Sequence, residues 1–251
     1  MFEVLLVSKT VDKTEKNKMA DSNILWYLEK FNLFNNLDMS SLSELGKKSC
    51  MVKYKKNKPI FIPEDLQKNI FFLKKGKVKI STFNDGGEEL IKTILKPGEM
   101  FGKLPYSPGS ENDDYAYALE ESTVCYMPAE DFEALLQKDN HLSTEVMKFV
   151  GLRLQKLERR VEMLSFKDAK ARLIEMILDF NNDYGKKVGS EYFIEQNLSH
   201  RELASLIATS RQTVTKLLNE LREKNLIDFN RRKMIIRDFD GLKSELVYDV
   251  N

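Results

Sequence analysis

Between Leu198 and Lys233 the chain carries side chains suited to gripping a nucleic acid. Ser199-His200-Arg201-Glu202 has the order of a capping box, in which the serine oxygen accepts from the third helical N–H and the glutamate reaches back to the cap. Further on, Arg211, Gln212, Thr215 and Lys216 share one side of a segment whose other side is Val214, Leu217, Leu218 and Leu221. Arginine can hold guanine O6 and N7 in a fork, glutamine can pair with adenine N6 and N7, and lysine can reach guanine or a phosphate. Thr209 or Ser210 is placed to cap this second segment and Thr213 falls in its first turn, where helical N–H groups face outward as phosphate donors. Asn230-Arg231-Arg232-Lys233 forms a basic tip between two apolar runs.

Charge alone does not settle the matter, because the whole chain carries a net charge of only +1. From His200 to Arg237, however, nine basic residues stand against four acidic ones. Such an excess can equally be a solvated face, so the elements beneath it must decide.

Chemistry of other kinds lacks its residues. With two cysteines, Cys50 and Cys125, the chain has neither a CxxC pair nor the four ligands of an iron–sulfur cluster, and a reducing, bacterial-type cytosol is expected. Both cysteines fall in expected strands, as small buried apolar residues. The two histidines, His141 and His200, lie outside residues 20–140, which excludes the histidine-rich metal site of a barrel enzyme. His200 reads as solvated rather than as a ligand. Neither metal nor cofactor is expected, nor any enzymatic activity. No apolar run reaches the roughly 18–20 residues of a membrane span. Residues 1–21 read as a disordered extension, with a short ordered arm as the alternative for 1–18 and Met19 as a possible second start.

The positioning elements follow from periodicity. Ile70–Leu73, Val78–Ser81, Leu90–Leu95 and Thr123–Met127 are short strand-like runs, separated by Lys75-Gly76, Asp85-Gly86-Gly87 and Lys96-Pro97-Gly98, where glycine supplies the positive φ of tight turns. These predict a small β-barrel or sandwich, with short helices at Ile24–Leu28 and Ser41–Leu45 against one end. Met147, Val150, Leu154, Leu157, Val161 and Leu164 then recur at 3 and 4, an apolar seam along a helix of more than 20 residues. Such a seam fits a second copy of the chain, with Arg153 at g and Glu158 at the following e pairing across a parallel coil; the alternative is a helix lying on its own sheet. Ala169–Phe180 reads as another helix, closed by the turn residues Asn181–Gly185, and the domain boundary falls near Phe166. Ala208-Thr209-Ser210 separates the two short basic-region helices, and Leu226–Phe229 with Met234–Ile236 forms a hairpin beside them. That is helix-turn-helix geometry with a wing.

The run Leu198–Leu221 resembles the DNA-binding motif of the Crp/Fnr transcription regulators, and Phe72–Val78 and Lys96–Gly102 resemble segments of that family's β-roll. The similarity spans about residues 22–240 and implies an α+β chain: a cyclic-nucleotide-binding-like β-roll (22–140), a dimerisation helix (141–166) and a winged helix-turn-helix domain (167–251). It implies a homodimer on a pseudo-palindromic duplex, with RNA polymerase as protein partner. Arg211 and Gln212 match the family's leading base contacts, where the cyclic-AMP receptor group carries Arg-Glu; Thr215 and Lys216 match later ones. The remaining alternative is an interaction module of this fold that does not bind DNA.

The resemblance also marks an effector pocket around Gly102, Lys103, Leu104, Asp114 and Tyr115. Nucleotide binders place a glutamate where Lys103 stands and an arginine near Asp114, and they touch adenine with hydroxyls that align with Leu157 and Glu158. An aspartate in the arginine's place would repel a phosphate. The pocket is therefore degenerate, cyclic AMP is not the expected effector, and the sequence names no other.

Overall fold

The computed structural model describes residue 34 and residues 39–63, 69–103, 113–195, 198–230 and 233–246. The expected N-terminal extension, the Ile24–Leu28 helix, Leu104, Arg231 and Arg232 lie outside them.

Two four-stranded antiparallel sheets form the N-terminal half. One runs β1 (Cys50–Tyr54), β8 (Ser122–Pro128), β3 (Asn69–Lys75), β6 (Met100–Gly102); the other runs β2 (Pro59–Phe61), β7 (Tyr115–Ala118), β4 (Val78–Phe83), β5 (Glu89–Leu95). β3 explains why the run Ile70–Leu73 is apolar without alternation. Phe71 and Leu73 point between the sheets, against Phe61, Ile80, Phe101 and Val124. Ile70 and Phe72 point the other way, under α1 (Met39–Lys48) and α2 (Ala129–Lys138), against Leu45, Met127 and Phe132. Both faces are buried, so period 2 in orientation leaves no period 2 in polarity.

Of the glycines in the expected turns, Gly76, Gly87 and Gly98 take positive φ, whereas Gly86 does not. Gly76 has φ +92°, and a Cβ there would sit 2.3 Å from Ser122 Oγ. Cys125 is buried on β8 as expected, whereas Cys50 is exposed. Cys50 is the first residue of the edge strand β1, at the end of the ladder with β8.

A single helix, α3 (Asn140–Phe166), links the halves, capped by Asp139, whose carboxylate accepts from the N–H of His141 and of Leu142. Only its first turns, at Leu142 and Val146, are buried in the chain. α3 ends at Phe166, and Asp168 caps α4 (Ala169–Tyr184). α4 runs one turn beyond the expected Phe180, because Phe180 and Tyr184 extend the stripe of Leu173 and Ile177 and both pack on the C-terminal core. Continued apolar periodicity outweighs the turn preference of Asn181-Asn182-Asp183. The remaining elements are β9 (Gly185–Val188), β10 (Glu191–Glu195), α5 (His200–Leu206), α6 (Arg211–Glu223), β11 (Ile227–Phe229), β12 (Lys233–Ile236) and α7 (Phe239–Ser244), with the sheet in the order β11-β12-β10-β9.

Candidate nucleic-acid interface

α5 begins at a complete capping box: the Glu202 carboxylate accepts from the Ser199 N–H at 2.8 Å, and Ser199 Oγ accepts from the Glu202 N–H at 3.3 Å. The chain leaves α5 through Ala208, at φ +51°, and re-enters a helix at Ser210, whose hydroxyl accepts from the Thr213 N–H at 3.0 Å. A left-handed alanine costs conformational energy, but it turns the chain sharply enough for the Thr209 N–H to reach back to Ala204 O at 3.0 Å.

α6 buries Val214, Leu218 and Leu221 and leaves Arg211, Gln212 and Lys216 exposed. These three therefore stand together on the outer face of a helix fixed from below. The other candidates have local roles. Ser199 and Ser210 are caps, and the Thr213 hydroxyl lies 2.8 Å from that of Ser210. Thr215 is half-buried; its hydroxyl donates to Arg211 O and lies 2.9 Å from His200 Nδ1. His200 is accordingly not the solvated side chain expected: it packs edge-on to Phe229 and its pKa is lowered, first by burial and then by Arg211. The wing hairpin is closed at Asn230, whose N–H donates to Lys233 O and whose side chain accepts from the Lys233 N–H.

Along α3, Met147, Val150, Leu154, Leu157, Val161 and Leu164 are all exposed, Met147 at 70% and Val161 at 63%. Arg153 does not join this seam. It is half-buried against its own β-roll, where burial lowers its pKa and the carboxylates of Glu99 and Asp114 oppose that shift. Glu158 thus loses the cross-coil partner expected for it. Arg153 belongs to a second 3–4 stripe, Val146, Phe149, Arg153, Lys156 and Arg160, that faces the chain's own domains: Phe149 packs on the core, Lys156 meets Glu99 at 3.2 Å, and Arg160 bonds to main-chain carbonyls. That stripe is visible in the sequence once cations are counted as inward-facing residues.

At the positions expected to line an effector pocket, Gly102 takes φ +90° and a Cβ there would meet Phe71 at 2.6 Å. Lys103 donates its N–H to Asn69 O at 3.1 Å. Asp114 pairs with Lys92 at 2.6 Å, and Tyr115 stacks on Tyr117 and meets Phe83 edge-on. The position expected to repel a phosphate thus has two cations close by, Lys92 and Arg153. Among the described residues no group of three His, Cys, Asp or Glu side chains could hold a metal ion, and no helix is long and apolar enough to cross a membrane.

The two halves touch. α5 lies on β5, the edge strand of its sheet, where Ser205 and Arg160 bond to the strand's main chain. A cleft of about 1090 Å³ opens between the halves, lined on one side by Ser199, Arg201 and Arg211 and on the other by Lys56, Asn57 and Leu119.

Comparison with known proteins agrees with this architecture. Residues 51–139 match the model of the cyclic nucleotide-binding domain and residues 171–245 that of the Crp-like helix-turn-helix domain. The chain is similar to the global nitrogen regulator of Nostoc sp., with 31% identity over 73% of this chain and 83% of that one. It is similar also to the cyclic AMP receptor protein of Thermus thermophilus, with 28% identity over 74% and 82%. Among solved structures, a CooA mutant from Carboxydothermus hydrogenoformans superposes with a TM-score of 0.72 at 26% identity, covering 88% of this chain and 95% of that one.

Proposed function

The chain belongs to the Crp/Fnr family of transcription regulators and is a DNA-binding regulator, and from that premise we propose how it reads its target. The observation that carries the reading is the outer face of α6, where Arg211, Gln212 and Lys216 stand exposed above the buried Val214, Leu218 and Leu221. In this reading α6 enters the major groove, Arg211 and Gln212 contact base edges, Lys216 reaches guanine or phosphate, and Thr215 borders the contact. Ser199, Ser210 and Thr213 hold the helix starts whose N–H groups face the phosphates, and Arg231 and Arg232 belong to a wing alongside. With glutamine where the cyclic-AMP receptor group has glutamate, the preferred site carries adenine at the base pair Gln212 reads.

Two copies join along the exposed seam of α3, which puts their recognition helices about 34 Å apart on a pseudo-palindrome. The working division is a β-roll from 22 to 140, a dimerisation helix from 141 to 166 and a DNA-binding unit from 167 to 251, with RNA polymerase as the protein partner. Cyclic AMP is not the effector in this reading: Lys103 and Asp114 replace the expected contacts, and Leu157 is exposed on the seam.

Selection of duplexes from a random library, followed by a salt series on the winner, tests the function. Binding through several phosphate contacts must weaken steeply as salt rises. A flat response, or no enriched sequence, refutes it.

A further inference from the structure

Lys92 is an extra residue in its strand. β5 pairs Thr93 with Ile80 and Ile91 with Ser81 of β4, so Lys92 between them has no ladder partner on that side and forms a β-bulge. A bulge re-aims a side chain and leaves the local backbone to be fixed by something other than the ladder. Two groups fix it here. The Lys92 ammonium lies 2.6 Å from the carboxylate of Asp114, which is mostly buried, and the Lys92 carbonyl accepts from the guanidinium of Arg160 on α3.

Both contacts lead further. Arg160 also donates to Ile91 O at 2.9 Å and to Leu206 O at 3.1 Å, and the Ile91 N–H donates to Ser205 of α5 at 2.7 Å, so the helix-turn-helix is seated at the bulge. In the other direction, Asp114 favours the charge of Arg153, a half-buried residue of α3. Glu99, the second acid near Arg153, is engaged elsewhere: it pairs with Lys156 at 3.2 Å and accepts from the Lys96 N–H at 2.8 Å. One carboxylate thus serves a cation of the β-roll and a cation of the long helix, one residue away from the contacts of the DNA-binding domain. Without it, Lys92 loses its counter-charge and the bulge loses an anchor.

We propose that Asp114 is a built-in effector anion, whose carboxylate holds Lys92 and Arg153 in the arrangement that seats the helix-turn-helix on β5 and makes the chain competent for DNA without a small-molecule ligand. This rests on the reading of α6 as DNA-facing and adds its regulation. A carboxylate carried by the chain competes against any free anion at the effective concentration of an intramolecular group. Being always present, it biases the junction as a permanently bound ligand would.

The test uses the full-length protein and a duplex selected from a random library. D114A removes the carboxylate and leaves room for formate, which supplies the missing group as a free anion. Affinity of D114A for the duplex is expected to fall about tenfold or more in chloride, and to recover when formate replaces chloride at constant ionic strength. D114N fills the space without the charge, so it should lose the same affinity and gain nothing from formate. K92Q, which removes the cation, should behave like D114N. A second readout needs no DNA: formate should raise the melting temperature of D114A and leave that of the wild type unchanged. Three results overturn the proposal. They are D114A and D114N binding as tightly as the wild type, formate failing to restore the affinity or shift the melting of D114A, and a wild type that carries a small molecule in native mass spectrometry and loses affinity when it is dialysed away. A wild type that selects no duplex, while formate still shifts the melting of D114A, removes the reading of α6 instead.

Discussion

The hydroxyl of Ser205 on α5 accepts from the N–H of Ile91 on β5 at 2.7 Å and donates to Glu89 O at 2.6 Å. β5 is an edge strand, whose outer main-chain groups would otherwise face water or another chain. One serine thus serves as a partial strand partner. Arg160 on α3 completes the seal, with its guanidinium on Ile91 O at 2.9 Å, on Lys92 O, and on Leu206 O at 3.1 Å at the end of α5. β-roll, long helix and helix-turn-helix all meet at this junction.

Removing Ser205 leaves a donor and an acceptor of β5 unmatched, a loss of about 1–3 kcal/mol if water does not replace them. S205A and R160A are each expected to loosen the helix-turn-helix domain from the β-roll without changing the helix content. Limited proteolysis at Lys167, in the extended link between α3 and α4, should quicken in both variants. Unchanged cleavage would mean that the junction does not restrain the domains.

The exposed seam of α3 predicts a dimer that two charges should split. L154D/L157D places carboxylates at the centre of the apolar stripe and nowhere in the buried core. Sedimentation should show monomers, with circular dichroism unchanged. Affinity for a two-half-site duplex should fall by about a hundredfold or more, because the second half-site then no longer binds as an intramolecular event. A variant that still sediments as a dimer would place the interface elsewhere.

The C-terminal motif was legible because local signals agreed there: the capping box at Ser199, the cap at Ser210 and the apolar set of α6 all specify the same two helices. The strand runs of the β-roll were legible through their glycine turns. What stayed hidden was contact between distant segments. Arg153 sits one residue before the seam residue Leu154, and sequence spacing alone let it be read as part of the coil; only the fold puts Glu99 and Asp114 beside it. Nothing in the spacing of Thr215 shows that α5 brings the His200 ring to its hydroxyl. A small residue in a strand is expected to be buried, and Cys50, at the end of an edge strand, is exposed.

The two thiols should differ sharply. Cys125 is buried, and burial pushes its pKa up to about 11, with a hydrogen bond from Ser49 opposing the shift. At pH 8 only about one Cys125 in a thousand is then a thiolate, before access is considered. Cys50 is exposed. A colourimetric disulfide reagent should titrate one fast thiol in the native protein and two in denaturant, and C50S should abolish the fast phase. Two fast thiols would contradict the packing of β8.

His200 gives the helix-turn-helix an acid sensitivity of definite sign. Burial, and then Arg211, hold its folded pKa below the ordinary value of 6.5. Below pH 6.5 the unfolded chain binds the proton first, so this contribution is complete above that value and is lost as pH falls through the folded pKa. Urea midpoints should therefore decline on acidification from about pH 7.5 to 5.5. H200Q, which keeps a hydrogen-bonding group near Thr215 but does not titrate, should decline less. Parallel curves would show that the imidazole is not held neutral by its surroundings.

Base reading by α6 can be separated from mere affinity by changing one residue at a time. Arg211 and Gln212 are exposed in the first turn, after the Ser210 cap, so their replacement removes no core contact. Q212E exchanges an amide that can both donate to and accept from adenine for a carboxylate that can only accept, as from cytosine N4. Library selection with Q212E should shift preference from adenine to cytosine at one pair of symmetry-related positions and leave the others intact. A well-placed bidentate contact discriminates by about 1–3 kcal/mol, so R211A should flatten selection at a different position by roughly tenfold or more per half-site. K216A should behave otherwise if Lys216 grips phosphate, weakening all sequences alike and reducing the salt dependence. Identical selected sites from the wild type and Q212E would show that Gln212 does not read a base, whatever the exposure of its side chain.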